Sequence, residues 1–503
     1  MTSRATGRQR GRPPYPLLTP AEERVLEFVR QGKTNAEIGV RLGVSPDAVK
    51  YHVSNLLGKA GLSTREELAG WQPQPGNFFG RAWGGIPLLG KVALGASAIV
   101  VAGGMAWGLA FRGESAPPLR DGPVTLGYDG KPANDTSSNP KLSADGRYVV
   151  FESRASNLVP NDTNNASDIF RYDRKTGVME MVNRDSAFGA QAHFPATNPS
   201  VSADGNLVSY TQWQANGAQA VLRDLAHGTT RVISSDRGGG FTSVSPDGRF
   251  FAYGETDPLF SQLPTGRIVV GDLRSGAVLY RVELDRSKDL NQLAMDFSFS
   301  PNGRWFVFNA GLVPGTGCDP IERGVIFNGQ LAPGFLQRPV VHDMDTGNTT
   351  CPPLDPLRAN AVVWATSPVT ASNDAVVFGE SVTEAGGGAL VDTRLVLLNP
   401  LTGQVKSFGR GQDPVFTSSN PPAVSRDRAA FIDTLHSRRV IVLNLASGSE
   451  VQIGTQPPRF APNDRVHEQP ALSADGHHLA YVVSGVDTTS GSHVGDIYVT
   501  TLK

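Results

Sequence analysis

The sequence is short of the residues and patterns that most chemistry needs. It has two cysteines in 503 residues, Cys318 and Cys351, and no CxxC pair. No HExxH, no G-x-S-x-G elbow and no P-loop glycine run occurs, which removes the sequence warrant for zinc hydrolysis, serine hydrolysis and nucleotide-phosphate chemistry. The nine histidines are scattered. Charge is sparse: 18% of residues are charged and the net charge is −1. No signal-peptide pattern is expected at the start, because the Arg-rich residues after Met1 are not followed by an apolar stretch. A long run that is both uncharged and apolar occurs in one place, residues 92–111.

What is present is equally uneven. The 56 glycines and 36 prolines supply many turns and point to a β-rich bulk, and 39% hydrophobic content suits a folded chain. The length allows two to four domains. Residues 1–72 carry eleven Lys/Arg against seven Asp/Glu, so the N-terminal part is basic and the remainder acidic. A basic end on a near-neutral chain suits a nucleic-acid or membrane-surface partner.

Residues 1–16 are basic and Pro-rich, and are expected to form a disordered arm. Thr19, Pro20 and Glu22 read as a capping box opening a helix that Gly32 ends. Asn35 to Leu42 follows as a short second helix. Gly43 suits a left-handed turn, and Ser45 and Pro46 open a third helix. In the third helix Val49, Val53, Leu56 and Ala60 recur at helical spacing and should pack inward. Asp47, Lys50, Tyr51, Ser54 and Gly58 fall on the other side, where a helix can enter a major groove. A three-helix packing domain with a polar surface is the structural alternative.

The stretches "LTPAEERVLEFV", "GKTNAEIGVRLGVS", "VKYHVSNLLGKAGL" and "STREEL" resemble the LuxR/FixJ-type helix-turn-helix over residues 17–71. That resemblance implies a four-helix all-α domain, to residue 72, that binds double-stranded DNA. It implies base and phosphate contacts from Lys50, Tyr51 and Ser54, with Val49 nearby. It also sets Thr34 and Asn35 close to the DNA backbone. Ala48 stands where Thr is frequent, and Gly58 replaces a common basic residue, which weakens the helix by roughly 1 kcal/mol.

After a Pro/Gly linker at 73–91 comes "VALGASAIVVAGGMAWGLAF", residues 92–111, without a charge. Twenty helical residues span roughly 30 Å, the hydrocarbon thickness. A single transmembrane helix is therefore expected, flanked by Lys91 and Arg112, with Phe78, Phe79 and Trp83 suited to the headgroup zone. The helix-turn-helix must lie with the chromosome, which sets the N-terminus in the cytoplasm and everything after residue 111 outside the cell (inner) membrane. Ala98, Ala102, Ala106 and Ala110 form a small-residue stripe, and Gly104 and Gly108 a GxxxG. Either permits close helix approach and a homodimer.

Beyond a linker at 112–121, the remainder is repetitive. "NPKLSADGRYVVFES" at 139 returns as "NPSVSADGNLVSYTQ" at 198, and five further copies follow, at 241, 297, 368, 421 and 469. Most are followed by a second signature such as "DIFRYDRKTG" or "RVIVLNLASG". Each pair reads as four short strands, at intervals of about 43 to 72 residues, which describes a β-propeller blade. The last copy stops one strand short, and "GPVTLGYD" at 122–129 can supply it. Seven blades over 122–503, closed by the N-terminal strand, is the expectation. Asp145 with Gly146, Asp204 with Gly205, Asp247 with Gly248 and Asp475 with Gly476 carry a resemblance to the TolB-type propeller family. That resemblance implies a fold and a binding habit, not an activity. Blades five and six lack the turn glycine, which leaves their register open.

Three features of the repeat region could carry chemistry. His477 and His478 follow a turn and read better as the start of a strand than as metal ligands. Asp162, Asn164 and Asp168 sit at even offsets like part of a calcium loop, but without its glycine or terminal Glu. Cys318 and Cys351 both fall in blade four and are permitted to pair outside the cytoplasm. No cofactor and no enzymatic activity is expected. The sequence reads as a membrane-anchored DNA-binding regulator with an extracytoplasmic propeller that binds a ligand or an envelope protein. The alternative is an envelope-binding propeller whose helix-turn-helix serves only protein interaction.

Overall fold

The computed structural model describes residues 20–42, 49, 53, 56, 62, 64–71, 118–184, 194–215, 217–234, 239–255, 267–283, 297–310, 321–327, 330–336, 338–351, 361–365, 370–384, 390–409, 422–433, 439–454, 457–460 and 466–502. The arm 1–16, Thr19, the linker 73–91 and the apolar run 92–111 lie outside the described residues. Among the described residues no helix is long and apolar enough to cross a membrane. The chain divides into two units, Met1–Gly113 and Glu114–Lys503.

The described residues of the first unit are mostly helical. α1 (Pro20–Arg30) starts on the proline, as its fixed φ favours. Gly32 ends it at φ +70°, and Lys33 N donates to Phe28 O while Gly32 N donates to Val29 O, the paired bonds of a Schellman cap. α2 (Asn35–Leu42) has the predicted bounds. Val49, Val53 and Leu56 are each helical and buried. α3 (Arg65–Gly70) begins on a full capping box between Thr64 and Glu67. Val25, Leu26, Val29, Ile38, Val49, Val53, Leu56 and Leu68 form one core, with Phe28, Leu62 and Trp71 packed on it.

The second unit is a seven-bladed β-propeller. Each blade is one antiparallel sheet. Blade 1 runs Ser137–Leu142, Tyr148–Ser153, Asp168–Asp173, Val178–Met181, and blades 2 and 3 repeat this order over Ala196–Val232 and Thr242–Glu283. Blade 4 spans Phe297–Thr350 and carries an inserted hairpin, Ile321–Phe327 with Gln330–Leu336. Blade 5 spans Ala361–Gly409, its first position shared by two short strands that both pair with Val376–Glu384. Blade 6 spans Ala423–Ile453. Blade 7 takes Val466–Leu472, His478–Val486 and His493–Thr501 from the end of the chain, and its fourth strand, Gly122–Pro123, from the start of the unit.

Strand periodicity explains the ring. Val149 and Phe151 point toward blade 7 and join Ala480, Val482, Ile497 and Val499. Val150, between them, points the other way and joins Val208, Tyr210 and Val221 of blade 2. The same alternation builds an apolar cluster at every junction, seven in all, including the one between blades 6 and 7. A closed ring leaves no blade face exposed.

The turn between first and second strands follows from its sequence. In five blades a buried serine receives the backbone N–H five residues on at 2.8–2.9 Å, while its hydroxyl donates to the Asp or Asn two residues on at 2.5–2.7 Å. The glycine after that Asp or Asn is left-handed, with φ between +66° and +75°. A Cβ on Gly205 would collide with the Tyr148 ring of blade 1, and one on Gly146 with the His478 ring of blade 7. Gly205→Ala is expected to cost at least about 1–3 kcal/mol, read from urea unfolding of the propeller.

Blades 5 and 6 keep the buried serines, Ser372 and Ser425, but their loops are two residues shorter. Ser372 N bonds to Ala375 O and Ser425 N to Arg428 O, where Ser143 N reaches Tyr148 O. The shorter turn needs no left-handed residue, which is why the glycine is missing, and the register is kept.

Candidate functional site

In the helical unit, the described side chains explain how α2 is presented. Thr34 caps it: Glu37 N donates to Thr34 Oγ1 at 3.3 Å and Thr34 N to Glu37 Oε2 at 2.8 Å. The Thr34 amide first, and then the Thr34 hydroxyl, which donates to the same Oε2 at 3.0 Å, hold the Glu37 carboxyl below its ordinary range. Asn35 is half-buried, and its Oδ1 accepts from Arg65 Nη1 at 2.8 Å while Arg65 Nη2 donates to Lys33 O at 2.5 Å. α3 thereby fixes the N-terminal end of α2, which keeps exposed Thr34 in place. Arg30 caps the other side of the unit by donating to Trp71 O at 2.7 Å.

Of the six residues expected at DNA, Lys50, Tyr51 and Ser54 lie outside the described residues. Thr34 and Asn35 stand together at the start of α2. Val49 is fully buried in the core, so its side chain packs inward and is not available to a base edge, as the gain from burying a valine favours. Arg65, which the sequence reading passed over, is the residue that ties Asn35 down. Its signal was only the capping box "STREEL".

In the propeller, a cavity of about 510 Å³ lies on the axis, lined by the first strands. Asn139, Asn198 and Gln469 line it from blades 1, 2 and 7, at φ +50° to +55°. Each precedes a proline and sits at a break in register, an unusual backbone for a residue in that position. They are linked around the pore: Asn139 N donates to Gln469 Oε1 at 2.7 Å, and Glu152 accepts from Asn139 Nδ2 at 2.8 Å and from Asn198 N at 2.9 Å. Strain of this kind concentrates at functional positions. The "NP" and "QP" pairs in the repeats were the legible signal.

The other propeller candidates separate. His478 packs against the Gly146 turn and its Nδ1 lies 3.3 Å from Thr501 Oγ1, so it is a junction residue. Asp168 is fully buried, and burial pushes its carboxyl up to about 6. Asn164 Nδ2 reaches Asp168 Oδ1 at 3.1 Å, so these two come together; the Asp162 charge acts on the same carboxyl. Cys351 is disulfide-bonded and packs beside the cluster of blades 3 and 4. Cys318 lies outside the described residues.

Two compact helices joined through a glycine-capped turn, with a third helical segment turned into their core, define the helix-turn-helix class. Residues 16–71 match the family described as bacterial regulatory proteins, luxR family. The chain is 42% identical over 52 residues to the probable transcriptional regulatory protein SgaR of Hyphomicrobium methylovorum, covering 10% of this chain and 25% of that protein. It is 40% identical over 52 residues to the spore germination protein GerE of Bacillus subtilis (strain 168), covering 10% of this chain and 70% of GerE. Through these residues the chain belongs to the luxR family of bacterial regulatory proteins. It spans only about a quarter of the length of SgaR.

Solved propellers resemble the second unit in arrangement. The propeller domain of the Trilobed protease from Pyrococcus furiosus aligns at TM-score 0.46 and 12% identity, covering 74% of this chain and 96% of that one. TolB from Agrobacterium tumefaciens aligns at TM-score 0.33 and 18% identity, covering 56% and 83%.

Proposed function

We propose that the protein is a membrane-anchored transcriptional regulator that couples a cytoplasmic DNA-binding domain to an extracytoplasmic propeller. The observation that carries this reading is the order of parts. A luxR-family domain precedes twenty uncharged residues, and a complete seven-bladed propeller follows them. A disulfide-bonded Cys351 supports an oxidising compartment for the propeller. The strained, hydrogen-bonded inner strands of blades 7, 1 and 2 favour the axial cavity as the place where a ligand or an envelope protein is received. Binding there alters the geometry of a homodimer through the small-residue stripe of 92–111. The linker before the span reaches only about 25 Å as a random coil, so DNA is read close to the membrane unless the domain is released.

The test is a gel shift at stated salt with the full chain, comparing Lys50→Ala and Ser54→Ala with the parent, alongside membrane fractionation. Loss of DNA binding of about tenfold or more in the variants, with the parent in the membrane fraction, is expected. Unchanged DNA binding, or a parent found only in the soluble fraction, defeats the reading.

A further inference from the structure

Among the side chains that neither the helical unit nor the pore employs, one carboxylate has incomplete chemistry. Asp168 opens the third strand of blade 1 and is 0% exposed. Its Oδ1 takes two amide donors, Asn183 Nδ2 at 2.7 Å and Asn164 Nδ2 at 3.1 Å. Its Oδ2 is equally enclosed and takes no hydrogen bond. Among the described residues no Lys or Arg forms an ion pair with Asp168. Arg184 acts on the carboxylate favourably but forms no ion pair with it, and a buried carboxylate without a contacting cation or a full set of donors is costly to keep charged.

The loop that precedes it supplies a second negative charge. Asp162 lies in the segment between the second and third strands and acts on the Asp168 carboxyl by like-charge repulsion. Asn164, between them in sequence, is already drawn onto Asp168, with its own Oδ1 accepting from Ala166 N at 3.1 Å. Two carboxylates and an amide are thus gathered on one short loop, with an unsatisfied oxygen among them.

We propose that this loop binds a calcium ion through Asp162, Asn164 and Asp168. A cation at the free oxygen of Asp168 supplies the missing partner and offsets the repulsion between the two aspartates. A lone buried water supplies the hydrogen bond but not the charge. The donor set selects the ion. The three side chains bring two carboxylates and an amide and neither thiolate nor imidazole, which does not suit zinc; Asn164, whose Nδ2 faces Asp168 and whose Oδ1 takes Ala166 N, turns its oxygen to the ion on binding. Only two carboxylates are present, and no group of three His, Cys, Asp or Glu converges among the described residues, so amide, carbonyl and water oxygens complete the shell. Such a mixed, irregular oxygen set from a flexible loop suits calcium, which accepts six to eight oxygens at relaxed geometry, over magnesium.

The location gives the ion something to do. Ser167 O accepts Ala196 N, the first residue of blade 2, at 2.6 Å, and Asn183 comes from the segment leaving blade 1. A cation at Asp168 therefore ties the exit of blade 1 to the entry of blade 2. The site does not depend on DNA binding or on which side of a membrane the propeller stands.

The experiment uses the full chain, stripped with EGTA and dialysed into metal-free buffer, then titrated with calcium chloride by calorimetry while bound metal is counted by atomic emission. One calcium per chain is expected, with a rise in the unfolding temperature of the propeller transition at about 1 mM calcium. Asp162→Asn is expected to weaken binding at least about tenfold, and Asp168→Asn to abolish both binding and the thermal shift. Asp162 is only half-buried, so its variant remains a test if Asp168→Asn does not fold. No bound calcium at millimolar concentration, or binding unchanged in Asp162→Asn, overturns the proposal and leaves a resident water beside Asp168.

Discussion

Arg174→Ala is expected to destabilise the propeller by about 3–5 kcal/mol, read as a lowered urea midpoint for the β-rich transition. The side chain of Arg174 is 0% exposed, and two of its three partners, Arg120 and Asp121, lie at the closure of the ring, while the third, Gly146, lies in its own blade. Nη2 donates to Asp121 Oδ1 at 2.6 Å, Nε to Arg120 O at 2.9 Å and Nη1 to Gly146 O at 2.7 Å. Asp121 in turn accepts from Thr501 N at 3.0 Å and from Thr501 Oγ1 at 2.9 Å. The guanidinium thus joins blade 1 to the two ends of the chain that together make blade 7. Burial works against its charge, and Asp121 is the chief offset. Truncation removes the donors, strips two carbonyls of that partner and leaves Asp121 without its cation, held only by Thr501. Arg174→Lys is expected to recover little, because an ammonium cannot present three donors in a fixed fork. A loss below about 1 kcal/mol for Arg174→Ala would mean that the strand pairing at Gly122–Pro123 closes the ring without it.

The second large effect concerns the small helical unit. Ile38→Ala is expected to cost about 2–5 kcal/mol. Ile38 is fully buried against α1, the third helical segment and α3. A unit of this size holds only a few kcal/mol in reserve, so the substitution unfolds it outright. DNA binding then disappears although no residue expected at DNA has changed. Because the propeller is a separate unit, its transition should stay where it is. Circular dichroism shows the helical signal lost at 25 °C, with the β-rich melt unmoved. A single shared transition in the parent would contradict the independence of the two units.

How far the sequence reveals this architecture depends on whether a signal is local. The Ser-x-Asp-Gly turns and the Asp-x-x-Thr-Gly turns are written within a few residues, so the blades, their number and even the closing strand were legible. The helical cap at Gly32 and the bounds of α2 were legible for the same reason. Blades 5 and 6 looked irregular only because their turns are two residues shorter, a change that removes the glycine and leaves the buried serine as the constant feature. The hairpin inserted in blade 4 went unread, although Asn328 and Gly329 between two extended runs and the longest spacing between copies both marked it.

Long-range pairs were not legible. Nothing near Arg174 announces Asp121, and nothing near Asp168 shows that one of its oxygens is enclosed and unpartnered. Val49 shows the limit of a resemblance: a position beside DNA contacts is still, by its spacing from Val53 and Leu56, a core position. Helical period and burial decided that residue, and both favour the interior.

The latch that closes the propeller also sets an order of assembly. Thr125 meets Asp496 at 3.1 Å across 371 residues of chain. At a synthesis rate of about 5–20 residues per second, the first strand of the propeller waits roughly 20–75 s for the last blade to appear. Blades 1 to 6 can form in sequence behind it, each on its predecessor. Blade 7 cannot, because its outer strand is the oldest part of the domain and its other three are the newest. A ribosome stalled or a chain cut between blade 6 and the last three strands therefore yields six stacked blades with an open seam, exposing the faces of blades 1 and 6 to one another's counterparts on neighbouring chains.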